Sequence, residues 1–377
     1  MQPVTDYTSI LSHFLIEGTV DRVQPLGNGL INDTLKVTTA GTDTPDYVLQ
    51  RINNAVFKDV DLLQHNIDAV TEHIRKKLIE QDETDIDRKV LRFVKTDEGK
   101  SYFCDSIGNF WRLSVFIPES LTLERVDPET SYEAGKTFGQ FEGMLSDLQE
   151  PLGETIPDFH NMELRARQLH EVVAADPMGR VGEPAVVDLL HDMEADIQEM
   201  CKAERLYREG LLPKRICHCD TKVNNMLYDA DSRKPLCVID LDTVMPSFIF
   251  SDYGDFLRTA ANTVAEDCPE LSSVAFRTDI FKAFTISELL KLMATGYLES
   301  ANWFLTPVER DHLPFAVALF PFMQSVRFLW DYLNGDKYWK VKYPTHNLVR
   351  AQNQMALYKS VKAHDREMSD FIDKIVR

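Results

Sequence analysis

Positive charge is in short supply in this chain: 41 lysines and arginines face 60 aspartates and glutamates over 377 residues, a formal net charge of -19. Nucleic acids and anionic membranes both demand basic surface, so the balance argues against either as a general partner. A nucleotide would have to be met by Mg2+ and a few placed cations. Cysteine is thin as well. The six, at 104, 201, 217, 219, 237 and 268, show no framework spacing, and Met1-Gln2-Pro3-Val4-Thr5-Asp6 has neither the charged nor the apolar region of a secretory leader. A reducing, cytoplasmic setting is the expectation. Long apolar runs are missing too: the longest, 313–323, carries two prolines and falls short of a bilayer. There is no internal repeat, no low-complexity linker and no signal for an oligomeric state. What remains, 44% hydrophobic and 27% charged, is ordinary for a globular protein and long enough for two lobes.

One stretch carries chemistry: Cys217-His218-Cys219-Asp220-Thr221-Lys222-Val223-Asn224-Asn225, followed after a short turn by Val238-Ile239-Asp240-Leu241-Asp242. Phosphoryl transfer needs a carboxylate to orient and deprotonate an incoming hydroxyl, and oxygen ligands to hold magnesium on the phosphates. Asp220, Asn225 and Asp240 supply those groups. An Asp, a Lys two residues on and an Asn five residues on follow the order of a protein-kinase catalytic loop, and Asp240 stands where the Asp of Asp-Phe-Gly would. Each piece alone is ordinary turn or strand chemistry; the combination in this order favours a kinase. Residues 229–235 form a polar turn between short apolar runs, a hairpin expected to bring Asn225 and Asp240 to one end. His218 reads as a structural brace of the loop. Cys217 and Cys219 alternate across a strand with no second cysteine pair after them, which fits buried small residues better than metal ligands.

Upstream, Ile10, Leu11, Phe14 and Leu15 give residues 9–17 a helical spacing closed by Gly18, and strands follow. Gly27 and Gly29 lie between two of them and let the backbone approach a phosphate, with Asn32 and Thr34 as further polar contacts. A Gly-x-Gly hairpin is a weak motif; its place upstream of the catalytic loop raises it. The third strand, Tyr47-Val48-Leu49-Gln50-Arg51-Ile52, occupies the position of a kinase's phosphate-pairing lysine and has none, leaving Arg51 as the nearest cation. Asp59 is placed to cap a helix that lines up Val60, Leu63, Ile67, Val70, Ile74 and Leu78 on one face. Strands at 90–94, 101–104 and 110–116 complete the sheet. Ile117-Pro118-Glu119 then breaks it as a hinge, with Ile117 beside the nucleotide. The expected division is an N-terminal nucleotide-binding lobe over 1–117 and a C-terminal catalytic lobe over 118–377.

That second lobe reads as almost wholly helical apart from the catalytic hairpin, with helices at 131–148, 162–174, 184–208, 307–332 and 348–375. Asp252, in a segment entering a helix, is a candidate brace for the catalytic loop. Arg327 sits on an otherwise apolar face between Val326 and Phe328, and an arginine so placed usually has a carboxylate or a ligand to pair with.

Together these features resemble the aminoglycoside phosphotransferase and choline kinase superfamily over nearly the whole chain. Further stretches resemble the N-acetylhexosamine 1-kinases within it: Leu49-Gln50-Arg51-Ile52-Asn53, 218–225, 239–246, 252–258, Arg327-Phe328-Leu329 through Tyr338, and 342–350. The last two are more family-specific than the catalytic loop. The resemblance implies a protein-kinase-like two-lobed α+β fold, with a small antiparallel sheet lobe carrying one long helix and a larger, mostly helical sugar-binding lobe. It implies ATP and Mg2+ as cofactors, Asp220 as the base on the sugar O1, Lys222 offsetting charge on the transferring group, and Asn225 and Asp240 holding the metal. Asp242, Arg327 and Tyr338 would contact the sugar, and the product would be a sugar 1-phosphate of the kind consumed in making nucleotide sugars. The chain departs from that family at Leu30, where the glycine loop carries a His, and Arg51 matches it only loosely. Two other readings stand beside this one. A kinase for choline, an amino-alcohol or an aminoglycoside suits the acidic net charge but leaves Arg327 without a purpose. A non-catalytic sugar- or nucleotide-binding relative ranks last, because Asp220, Asn225 and Asp240 are all present.

Overall fold

Alternation of side chains sets up the first sheet. In β2 (Asp33–Thr39), Leu35, Val37 and Thr39 are buried while Thr34, Lys36 and Thr38 keep solvent access, so one face of the strand belongs to a core. The computed structural model describes residues 6–27, 32–286 and 296–376. Strands β1 (Val20–Pro25), β2, β3 (Tyr47–Ile52), β4 (Phe103–Cys104) and β5 (Phe110–Val115) pair antiparallel in the order β1-β2-β3-β5-β4. The short helix α1 (Tyr7–Leu11) closes one face, where Ile10, Leu11 and Phe14 pack with Val37, Leu49, Trp111 and Leu113. The helix α2 (Val60–Glu80) starts at Asp59, whose carboxylate accepts the N–H of Leu62 at 2.9 Å, and buries Leu63, Ile67, Val70 and Ile74. The strand expected at 90–94 does not form. After the one-turn helix α3 (Ile86–Lys89) the chain touches β5 through a single bridge, Phe93 to Ser114.

These elements belong to a unit comprising Met1–Leu121, Asp147–Pro157 and Leu227–Val244. The hairpin strands Met226–Asp229 and Pro235–Val238 are neighbours, and Ser120 and Leu121 add a third strand against Asp229 and Tyr228. The segment carrying Asp240 and Asp242 is therefore part of this unit.

The second unit, Thr122–Ser146, Asp158–Met226 and Met245–Arg377, is mostly helical. Its helices are α4 (Pro128–Leu145), α5 (Met162–Ala175), α6 (Pro184–Met200), α7 (Lys202–Arg208), α8 (Phe250–Ala260), α9 (Thr278–Thr285), α10 (Tyr297–Ala301), α11 (Pro307–Asp311), α12 (Leu313–Leu333), α13 (His346–Lys362) and α14 (Asp365–Val376). Apolar on nearly every side, α12 packs against α5, α6, α8 and α13 as the central core helix. It is long and apolar enough to cross a membrane by length and composition, but 83% of its most apolar stretch is buried inside the protein. Three of the expected helices are broken: 184–208 at Cys201, 307–332 and 348–375. Pro314 has no N–H to continue the ladder from α11, and Ala363 and His364 turn the chain between α13 and α14.

Candidate active site

The catalytic loop grows from a short strand, Arg215–Cys217, paired antiparallel with Met245–Ser247. The backbone N–H groups of His218 and Cys219 both donate to the carboxylate of Asp252, each at 2.7 Å, and the hydroxyl of Thr221 donates to the Asp252 carbonyl at 2.7 Å. One residue in the first turn of α8 thus fixes three consecutive parts of the loop. Cys219 is left-handed, with φ 62°, a strain of about 1–2 kcal/mol for a residue with a Cβ that those hydrogen bonds hold in place. His218 is buried beside Phe138 and Phe141, and its Nδ1 accepts the N–H of Asp220 at 3.2 Å.

Beneath the loop lies a buried acid. Burial, reinforced by the Asp252 charge it faces, pushes the Glu142 carboxyl well above its ordinary 4.5, and the Tyr297 hydroxyl donates to it at 2.7 Å. Asp252 is also raised, by burial, against the pull of the His218 and Cys219 N–H groups, and Glu142 holds the proton between the two. A raised acid binds its proton more tightly in the folded state, so its contribution to stability is full below pH 4.5 and is lost as pH rises toward the folded-state value. Replacing Glu142 by Gln, a permanent isostere of the protonated acid, should therefore raise the melting temperature at pH 8 by several degrees while changing it little at pH 4.5. Equal shifts at both pH values in scanning calorimetry would contradict this assignment of the proton.

Asp220 follows the brace. Lys222 Nζ lies 2.9 Å from its Oδ2, and Asn225 Nδ2 donates to its main-chain oxygen at 2.8 Å and to Oδ2 at 3.0 Å. Burial pushes the Asp220 carboxyl up, but the Lys222 ammonium, with His218 and Arg258, outweighs it and holds the group below the usual carboxylate range. An ionised carboxylate aligned by two donors is equipped to take a hydroxyl proton. With Nδ2 spent on Asp220, Asn225 keeps Oδ1 as a neutral oxygen donor.

Around Asp220 the second unit gathers cations and rings. Arg258 pairs with Asp255 at 2.8 Å and Glu266 at 3.1 Å. Arg327 donates to Gln324 at 3.0 Å and lies over the rings of Phe159, Trp339 and Tyr338 at 5.0, 5.2 and 6.0 Å. Tyr338 and Trp339 are held in place by Asp331, fully buried, whose carboxylate accepts the N–H groups of Lys337, Tyr338 and Trp339 at 2.9, 2.9 and 3.1 Å. His160 bonds the hydroxyl of Ser251 through Nδ1 at 3.0 Å. Burial, then the charges of Arg327 and Arg165, push its pKa well down, so the imidazole is neutral. Burial likewise lowers Arg327, and it lowers Arg165 to about 10 with Arg327 adding to the effect. Asp220, His160, Arg258 and Arg327 are each half-buried. The sequence expects Arg327 and Tyr338 at the sugar; His160 and Arg165 carry no motif, and Arg258 closes the stretch 252–258 with no role of its own assigned to it.

In the first unit, Asp240 takes a left-handed conformation, φ 62° and ψ 53°, a second strained position beside a candidate functional carboxylate. The Asp240 carboxylate is a hard oxygen donor of the kind Mg2+ takes alongside phosphates and water, and in the other unit the Asn225 carboxamide oxygen is another. Among the described residues, no cluster of three or more His, Cys, Asp or Glu side chains forms a dedicated metal cage. Asp242, expected at the sugar, is 3% exposed and engaged internally: Asn32 Nδ2 donates to Oδ2 at 2.6 Å, and Arg112 lies 2.5 Å from Oδ1. Asn32, expected at the nucleotide, spends its other end on the N–H of Asn53 at 2.9 Å. Arg51 has a side chain 45% exposed and pairs with the exposed Asp33 on the neighbouring strand. Thr34 accepts from Gln50 at 3.3 Å, and Ile117 is buried. Gly27 has φ 70°, a conformation that favours glycine, while Gly29 and Leu30 lie outside the described residues. Arg112 went unremarked in the sequence, although an arginine between Trp111 and Leu113 inside a buried strand was a legible signal.

The sheet unit and the helical unit match solved small-molecule kinases. An aminoglycoside phosphotransferase from Alicyclobacillus acidocaldarius aligns with a TM-score of 0.60 at 14% identity, over 97% of this chain and 98% of that one. A microcompartment-associated aminopropanol kinase aligns with a TM-score of 0.56 at 15% identity, over 96% and 98%. A choline kinase from Cryptosporidium parvum Iowa II aligns with a TM-score of 0.54 at 14% identity, over 95% of each chain. At these identities the likeness establishes the two-lobed kinase-like fold. The model of the phosphotransferase enzyme family matches residues 22–281, well over half of the chain and inclusive of the catalytic loop, Asp240 and Asp252. This protein belongs to that phosphotransferase family, whose members transfer a phosphoryl group from ATP to small molecules.

Proposed function

We propose that the chain phosphorylates the anomeric O1 hydroxyl of N-acetylhexosamines, GlcNAc and GalNAc, using ATP and Mg2+ and yielding the sugar 1-phosphate. The observation that carries this reading is the wall made by Arg327, Tyr338, Trp339 and Phe159 in the same unit as Asp220. A choline or aminoglycoside pocket must offer an ammonium group free carboxylates or open ring faces. Here Arg327 already covers the rings, Arg165 adds a second cation, and Asp255 is committed to Arg258. A neutral polyhydroxylated acceptor gains hydrogen bonds from such cations.

In this mechanism Asp220 accepts the O1 proton as the oxygen attacks the γ-phosphorus and the bond to the ADP oxygen breaks. Lys222 offsets charge on the transferring group. Mg2+, for which Asn225 and Asp240 each offer an oxygen donor, would neutralise charge on the phosphates. His218 and Asp252 position the loop.

ADP release should be measured with MgATP and GlcNAc, GalNAc, glucose, galactose, mannose or choline offered separately. Turnover is expected with the N-acetylhexosamines; turnover with choline alone would overturn the reading. Arg327→Ala should raise the sugar KM by about tenfold or more, as expected for a charge-assisted contact, and the ATP KM much less. The reverse split in steady-state kinetics would move Arg327 to the nucleotide.

A further inference from the structure

One buried charge in the first unit has no task in the mechanism above. Arg112, in the middle of β5, is 2% exposed. Besides Asp242 it meets Gln50, which stands opposite it on β3 and accepts from Nε at 2.9 Å, and Gln64 of α2, which accepts from Nη1 at 3.3 Å. Taking both members of such a pair out of water costs about as much as their attraction returns, so two apolar residues of similar shape would serve stability equally well. The pair is better explained by what it positions.

What it positions is the turn that follows the hairpin. Asp240 sits two residues before Asp242, and the helical turn Leu241–Thr243 is gripped from several sides. Arg112 and Asn32 hold the Asp242 carboxylate, the Thr155 hydroxyl donates to the Asp242 carbonyl at 2.9 Å, and Asn66 of α2 donates to the Val244 carbonyl at 2.9 Å. Asn32 immediately precedes β2, so Asp242 links the start of that strand, β5 and the turn bearing Asp240. Protein kinases place a charged pair in this lobe too, a lysine on the third strand and a glutamate on the helix. Here the third strand and the helix contribute the neutral Gln50 and Gln64, and the charge stands one strand over.

We propose that Arg112 replaces the missing small-lobe lysine as the positioning residue of the metal-nucleotide site, acting through Asp242 on Asp240. Arg51 then has no part in it. The proposal rests on the reading of Asp240 as a Mg2+ ligand, and its test separates the two.

Binding of ADP with and without Mg2+ should be measured by calorimetry on wild type, Asp240→Asn, Arg112→Lys and the double variant Arg112→Met/Asp242→Leu. Arg112→Met alone strands a buried carboxylate, whereas the double variant removes both charges together. The double variant is expected to melt within a few degrees of wild type yet to bind Mg-ADP about 10–100-fold more weakly, the usual loss when a ligand's support is removed. Metal-free ADP should bind it nearly as wild type does, and Arg112→Lys should recover part of the Mg-ADP affinity. Wild-type Mg-ADP affinity in the double variant overturns the proposal, and so does a double variant that fails to fold, since the pair would then be a stability element. If Asp240→Asn keeps the full Mg2+ increment, the reading of Asp240 fails instead.

Discussion

Replacing Asp220 with Asn is expected to lower kcat by about 10²–10⁴-fold while leaving nucleotide affinity and melting temperature nearly unchanged. The substitution keeps the shape of the side chain, and Asn225 can still donate to the main-chain oxygen at residue 220. What disappears is the carboxylate placed to take the hydroxyl proton: the pull of Lys222 and His218 keeps Asp220 ionised, and a carboxamide has no such function. Because the lost interaction forms as the hydroxyl attacks, kcat and kcat/KM should fall together. Single-turnover kinetics with MgATP would show it, and a kcat close to wild type would remove Asp220 from the chemistry.

Asp252→Ala is expected to be the most damaging change away from the substrate. It removes the acceptor of two N–H groups that lie in a fully enclosed place, at 2.7 Å each, and those donors have no water to turn to. Each orphaned donor costs about 1–3 kcal/mol, so the protein should lose about 2–5 kcal/mol of stability in urea titration. Cys219 would then be free to leave its left-handed conformation, carrying Asp220 out of line. A shift of about 1 Å in a reacting group can cost on the order of 10²-fold, so kcat measured well below the melting temperature should fall by a similar factor. The main-chain bond from Thr221 survives the substitution and keeps the loop attached, so lost activity with unchanged substrate binding is the expected pattern. Wild-type stability and kcat in this variant would mean that the loop stands without its brace.

The chain's fold was legible where one signal dominated. Apolar spacing along 60–78 and the cap at Asp59 gave α2, and alternation gave β2 and β3, because those elements bury a single face against one core. Where two elements share an apolar run, the pattern merged them. Nothing in the periodicity of 307–332 or 348–375 marks the breaks at His312 and Ala363, although Pro314 stands beside the first. The loop around Asp220 stands out by spacing because its members come from adjacent residues. Its long-range partners do not, since Glu142 beneath Asp252 and Arg165 near Arg327 are joined to their neighbours only by tertiary packing. Asp242 shows the same limit from the other side. Its position in a matched stretch suggested the acceptor, and the fold spends its carboxylate on Arg112 and Asn32.

The most direct test of the central claim is to follow the reducing end of GlcNAc and GalNAc during turnover with MgATP, alongside ADP release. Phosphorylation at O1 blocks ring opening, so one reducing end should vanish for each ADP formed, with a phosphorus signal coupled to the anomeric proton in the product. ADP release with the reducing end intact would place the phosphoryl group on another hydroxyl and contradict the anomeric assignment.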